Sequence, residues 1–110
     1  MKLIKSIIRP HKVDDVKDAL GLLNISGITV SEVRGHGKQK GHTAVYRGKE
    51  YDVTLLPKME IEVVVPDAIV EEAIKAVVEA ARTGEIGDGR VFVLPVEQTY
   101  RIRTGERDSM

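Results

Sequence analysis

Lys58-Met59-Glu60-Ile61-Glu62-Val63-Val64-Val65, followed by Pro66-Asp67, is the stretch that decides the fold. Met59, Ile61, Val63 and Val65 alternate with Lys58, Glu60, Glu62 and Val64, the period-two pattern of a strand with one buried and one largely polar face. Pro66-Asp67 then opens a helix with Asp67 as its expected cap. Ile69, Val70, Ala73, Ile74, Val77, Val78 and Ala81 form the apolar stripe of that helix, which ends at Arg82-Thr83-Gly84. Val91 to Val96 reads as the next strand, and Pro95 in it fits an edge or a strand end. The second half of the chain is therefore β-α-β.

The first half repeats that order. Leu3 to Ile8 is a short apolar run closed by Arg9-Pro10. Val13, Val16, Leu20 and Leu23 recur at helical spacing, with Asp14 and Asp15 in the first turn, where a carboxylate opposes the positive end of the helix dipole. Asn24 and Gly27 mark the stop, and Ile28 to Val33 is a β-branched strand ended by Gly35-His36-Gly37. The order β-α-β, loop, β-α-β predicts a single α+β domain over residues 1–110. Its fold is the ferredoxin-like βαββαβ sandwich, an antiparallel sheet with two helices on one face. That scaffold is heavily reused, so function has to be read from sites.

Composition narrows the classes. Lys plus Arg and Asp plus Glu both count 17, so no global field draws the chain to nucleic acid or to an anionic membrane. With no cysteine, disulfide and thiolate chemistry are out. No run approaches the roughly 20 apolar residues of a membrane span, and Met1-Lys2-Leu3-Ile4-Lys5 does not resemble a cleaved leader, so a cytoplasmic protein with no direct membrane insertion is expected. Aromatics are scarce, with Phe92, Tyr46, Tyr51 and Tyr100 the full set. A core this poor in large rings would gain from subunit burial, which points to a homo-oligomer. An RNA-binding sheet would need stacked aromatics, and the strands offer only Phe92.

Between the two halves lies Gly37 to about Leu55, long and largely polar. Structureless connections beyond roughly 12–15 residues are uncommon in compact domains and tend to be functional. Ordering such a segment costs entropy, so it is expected to act as a mobile arm presented to a partner. Tyr51 within it is a candidate modification site, although most exposed tyrosines are unmodified.

Three constellations could carry chemistry. Arg82-Thr83-Gly84-Glu85-Ile86-Gly87-Asp88-Gly89-Arg90 has glycines that permit positive φ, so its N–H groups could converge on an anion with Arg90 at the rim. Taken alone, a glycine-rich turn is the commoner explanation, and the spacing is not that of a Walker A loop. Arg101 and Arg103 would project from one side of an extended segment and could close on a polyphosphate, against the blander reading of two solvated arginines. Lys58, if another subunit covered its face, could pair with a substrate carboxylate; the alternative is an exposed lysine beside Glu60. His11, His36 and His42 lack metal-ligand spacing, and no Ser or Thr is matched to a His and a carboxylate.

These segments together resemble the PII nitrogen-regulatory signal-transduction family. The likeness rests on Gly37-Lys38-Gln39-Lys40-Gly41-His42-Thr43, Tyr46-Arg47-Gly48-Lys49-Glu50-Tyr51, Leu56-Pro57-Lys58, Ala81 through Gly89, and Arg101-Ile102-Arg103-Thr104-Gly105-Glu106. The resemblance implies a non-catalytic homotrimer that binds ATP or ADP in each cleft between neighbours. Residues 37–55 match the family's T-loop, 82–90 its phosphate-cradling B-loop and 98–108 the C-loop of the adjacent subunit. By that likeness Gly37, Lys38, Gly87, Asp88, Gly89 and Arg90 would meet the nucleotide from one side and Arg101, Ile102 and Arg103 from the other. Thr29, Glu62 and Val64 would line its adenine and ribose end.

The same resemblance gives 2-oxoglutarate a site at Gln39, Gly41, Lys58 and Gly87, with Gln39 also helping to hold Mg2+. Tyr51 matches a nucleotidylylated tyrosine. The implied targets are an ammonium transporter, a nucleotidylyltransferase, or enzymes and kinases of nitrogen assimilation. Lys38, Arg90, His11, His36 and Lys49 depart from the family's common residues. A small ferredoxin-like nucleotide-processing enzyme is the alternative class; it would need a base or phosphorylatable nucleophile beside the phosphates.

Overall fold

The computed structural model describes residues 1–35, 43–46, 49–52 and 55–108, and for 43–46 and 49–52 the backbone only. Strand β1 is Lys2–Ile8, helix α1 Val13–Leu22, strand β2 Thr29–Gly35, strands β3 and β4 Thr43–Tyr46 and Lys49–Asp52, strand β5 Leu56–Val65, helix α2 Val70–Ala81 and strand β6 Gly89–Pro95. β2, β5, β1 and β6 form one antiparallel sheet in that order, so each β-α-β half straddles a strand of the other. This is the expected ferredoxin-like arrangement, and β6, with its Pro95, is an edge.

The alternation of β5 sets the layers. Ile61, Val63 and Val65 are buried, and they pack with Ile4 and Ile8 of β1, Val16 and Leu20 of α1, and Val70, Ala73, Val77 and Ala81 of α2 in one cluster. Residues directly opposite across a ladder share a face. Lys5 faces Glu62 and Phe92, and Ile7 faces Glu60 and Arg90, so these line the face turned away from the helices. There Lys5 Nζ lies 3.1 Å from Glu60 Oε1, and the Glu60 carboxylate raises the Lys5 pKa. Phe92 and Leu94 on that face stay about half exposed. Pro57 falls where β5 has run past its pairing with β1, which stops at Met59, and has β2 alone beside it, the edge setting in which a strand proline is tolerated.

Two expectations change. Asp67 does not cap α2: it begins a 3-10 turn, Asp67–Ile69, the helix proper starts at Val70, and the Asp67 carboxylate instead meets the Met1 ammonium at 3.0 Å. The polar stretch after β2 is not structureless throughout, since β3 and β4 pair antiparallel from Thr43↔Asp52 to Tyr46↔Lys49. Two short polar strands form a ribbon when a turn brings them together, a signal the lack of an apolar face hides from periodicity. Among the described residues, no helix is long and apolar enough to cross a membrane.

Candidate functional site

The glycine segment leaves α2 through Arg82, whose backbone is extended, and passes Gly84, Gly87 and Gly89, all at positive φ, before entering β6. Gly89 is the tightest of these. A Cβ there would lie 1.8 Å from the Ile7 carbonyl oxygen of the adjacent β1. No other residue lets the segment dive into the sheet edge at this point.

Asp88 organises the turn from within. Its carboxylate accepts from the N–H of Thr83 at 2.8 Å, the N–H of Gly84 at 2.9 Å, and the Thr83 hydroxyl. Arg9 Nε donates to the same group at 3.1 Å. The Thr83 hydroxyl first, then those N–H groups and Arg9, hold the Asp88 carboxyl well below the usual range. The Thr83 oxygen in turn accepts from Glu85 N–H at 3.1 Å.

Two cations hold the next carbonyls. Arg9 Nη2 donates to Ile86 O at 2.9 Å, and Lys58 Nζ donates to Gly87 O at 2.7 Å. Burial lowers the Lys58 pKa, the nearby Arg9 charge adds to that, and Asp88 opposes it. A trans peptide points its C=O and N–H to opposite sides. Each cation therefore turns the following N–H, that of Gly87 or of Asp88, away from itself. The result is a strapped backbone with N–H groups directed outward, suited to an anion.

A second group of the expected residues meets elsewhere. Thr29, Glu62 and Val64 line a hollow of about 370 Å³ together with Leu3, Gly27, Thr99 and Asp108. The segment carrying Arg101 and Arg103 is not extended. Gly105 N–H donates to Arg101 O at 2.7 Å and Arg101 N–H to Glu106 O at 2.8 Å, closing a turn with Gly105 at φ 72. The segment's strand-like pairing is limited to one bridge, Tyr100↔Arg107. Arg101 Nε donates to Asp108 Oδ1 at 2.8 Å, and Thr99 Oγ1 donates to Asp108 Oδ2 at 2.9 Å, which together keep the Asp108 carboxyl low, Thr99 foremost. Ile102 and Arg103 are exposed on the turn.

The two groups do not converge within one chain. Lys58 and Glu62 are four residues apart on β5, about 13 Å at the strand rise. Glu60 lies between them on the same face, paired with Lys5. A polyphosphate running along that face would have to pass a carboxylate. Gly37, Lys38, Gln39 and Gly41, with His36 and His42, lie outside the described residues, and so does the side chain of Tyr51, whose backbone stands opposite Ala44. Arg9 was not among the expected site residues. Its signal was the ladder itself, since the last pair is Ile8 with Gly89 and Arg9 and Asp88 are the next residues outward on the two segments.

The ferredoxin-like domain thus carries a glycine segment strapped by Arg9 and Lys58 and a separate hollow beside its C-terminal turn. The chain belongs to the P-II family: the model described as "Nitrogen regulatory protein P-II" matches residues 1–106. Among its relatives, the nitrogen regulatory protein P-II of Haemophilus influenzae is 56% identical over 108 residues, covering 98% of this chain and 96% of the relative. That of Azospirillum brasilense is 59% identical over 107 residues, covering 97% and 96%. Nitrogen regulatory protein P-II 1 of Escherichia coli is 55% identical over 108 residues, covering 98% and 96%. The chain is thus a regulator of nitrogen metabolism, of a signalling family rather than an enzyme family, and it acts on target proteins.

Proposed function

We propose that this chain works as a cytoplasmic homotrimer that senses ATP or ADP together with 2-oxoglutarate and reports through residues 37–55. The observation that carries the reading is the separation of two complementary half-sites. The glycine segment, reached by Lys58 of β5, offers N–H groups and Arg90, while Thr29, Glu62 and Val64 line a hollow farther along β5, where it pairs with β2. One copy's segment facing the next copy's hollow would complete a nucleotide cleft without routing phosphates past Glu60. The half-exposed Phe92 and Leu94 on the open sheet face favour burial against such a neighbour.

The residues fit the ligands by charge. The triphosphate would lie on the N–H groups of Gly87, Asp88 and Gly89 with Arg90 at the rim, and Arg101 and Arg103 would approach from the neighbour. Arg101 already has a carboxylate partner, so it would have to exchange Asp108 for phosphate. Lys58 would take the distal carboxylate of 2-oxoglutarate, and Gln39 would help hold Mg2+, which offsets the repulsion between a dianion and a triphosphate. ADP lacks the γ-phosphate, so exchanging it for ATP would reset the base of the 37–55 segment. Tyr51 is the proposed nucleotidylylation site. The proposed targets are an ammonium transporter, a nucleotidylyltransferase, or enzymes and kinases of nitrogen assimilation.

Calorimetry with ATP, Mg2+ and 2-oxoglutarate, added separately and together, tests this. Appreciable 2-oxoglutarate binding is expected only with ATP and Mg2+ present, and Arg101→Ala should weaken the nucleotide. Equal 2-oxoglutarate affinity without nucleotide would sink the mechanism.

A further inference from the structure

Asp88 poses a problem for any phosphate-binding reading of the glycine segment. A carboxylate beside phosphates repels them, yet Asp88 sits in the middle of the strap. Its geometry resolves the conflict. Both carboxylate oxygens are turned onto the segment's own Thr83 and Gly84 N–H groups, the Thr83 hydroxyl and Arg9. With Arg9 19% and Asp88 24% exposed, the pair is screened less than a surface ion pair. The other arm of the Arg9 guanidinium holds Ile86 O, which fixes the peptide whose N–H belongs to Gly87.

We infer that Arg9 and Asp88 are paired positioning residues for the anion-binding segment: neither side chain contacts the ligand, and together they aim the Gly87 N–H at it. Arg9 needs both arms of its fork for this, one for the carboxylate and one for a carbonyl, which a lysine cannot serve in the same planar geometry. Asp88 supplies the acceptor that folds Thr83 and Gly84 back over the turn. The inference rests on the nucleotide reading above and assigns that site two residues by role.

Two substitutions separate positioning from mere charge. Asp88→Asn removes a negative charge near the phosphates, so electrostatics alone would tighten ATP; loss of positioning weakens it instead. Arg9→Lys keeps the charge, so electrostatics alone would leave ATP unchanged, whereas loss of the fork weakens it. Titration of the full-length protein with ATP plus Mg2+, by calorimetry, should show each variant about tenfold weaker, the equivalent of one charge-assisted hydrogen bond. Adenosine, which lacks phosphates, should bind each variant as it binds the unaltered protein. If Asp88→Asn does not assemble, Arg9→Lys decides alone. Tighter ATP binding by Asp88→Asn, an unchanged ATP affinity in Arg9→Lys, or an equal loss of adenosine and ATP would overturn the inference. Absence of ATP binding by the unaltered protein would instead overturn the nucleotide reading, and this role with it.

Discussion

Arg9 Nε and Asp88 Oδ1 lie 3.1 Å apart across 79 positions of sequence. They stand one position beyond the last pair of the β1–β6 ladder, Ile8 with Gly89, and join the two segments there through their side chains. A contact that closes so much chain joins the stability of the sheet edge to the shape of the glycine segment.

The acid limb of stability should carry the mark of Asp88. Its folded pKa lies below its ordinary value of 3.8, with Thr83 the leading cause. A depressed carboxyl stabilises the fold fully above its unfolded pKa, and that contribution fades as pH falls through about 4 toward the folded value. Asp88→Asn should therefore lose about 1–2 kcal/mol near pH 7. The gap to the unaltered protein should shrink on acidification, as read from urea midpoints at several pH values. A gap that stays constant down to strong acid would show that the carboxylate charge is not what the contacts stabilise.

Gly89→Ala attacks the same edge sterically. The new methyl would meet the Ile7 carbonyl at 1.8 Å in a backbone at φ 103, so β6 must peel from β1 or the turn must rebuild. A loss of more than about 2 kcal/mol is expected, at the high end for a point change, from strain rather than from lost contacts. Thermal melts would decide it, and a variant as stable as the parent would mean the segment can re-route freely.

Core and surface should separate cleanly. Ile61 is 1% exposed at the centre of β5, and Leu22 is 87% exposed at the end of α1. Ile61→Ala should cost about 2–5 kcal/mol through lost burial and a cavity. Leu22→Ala should fall within about 0.5 kcal/mol of the parent. Denaturant unfolding measures both, and a large loss at Leu22 would reveal a partner covering that helix end.

Much of the fold was legible because β5 alternates without interruption and both helices carry buried residues at three- and four-residue spacing, Val16 with Leu20, and Val70, Ala73, Val77 and Ala81. Long-range chemistry was less so. Asp67 has the residue type of a cap, but its carboxylate was drawn to the Met1 ammonium, which periodicity does not describe. The Arg101 and Arg103 spacing was legible, while the turn that separates them from an extended geometry depends on Gly105 and on Asp108 holding Arg101. Arg9 could be found only once the strand register put it beside Asp88. A charged residue just before a proline carries no local sign of what lies across the sheet.

Mixed assemblies should expose whether the proposed nucleotide cleft is shared between copies. Arg90→Ala damages the glycine-segment half, and Glu62→Ala the hollow at the opposite end. If each cleft takes one half from each of two neighbours, both pure variants bind ATP weakly. Co-refolding them at equal ratio should then regenerate about a quarter of the clefts intact, since one junction in four joins two undamaged halves in a closed ring. Stoichiometry by calorimetry reads this directly, because the recovered sites keep the parent's affinity while their number falls. Were each chain to bind ATP on its own, mixing would recover nothing, as every chain would still carry one damaged half.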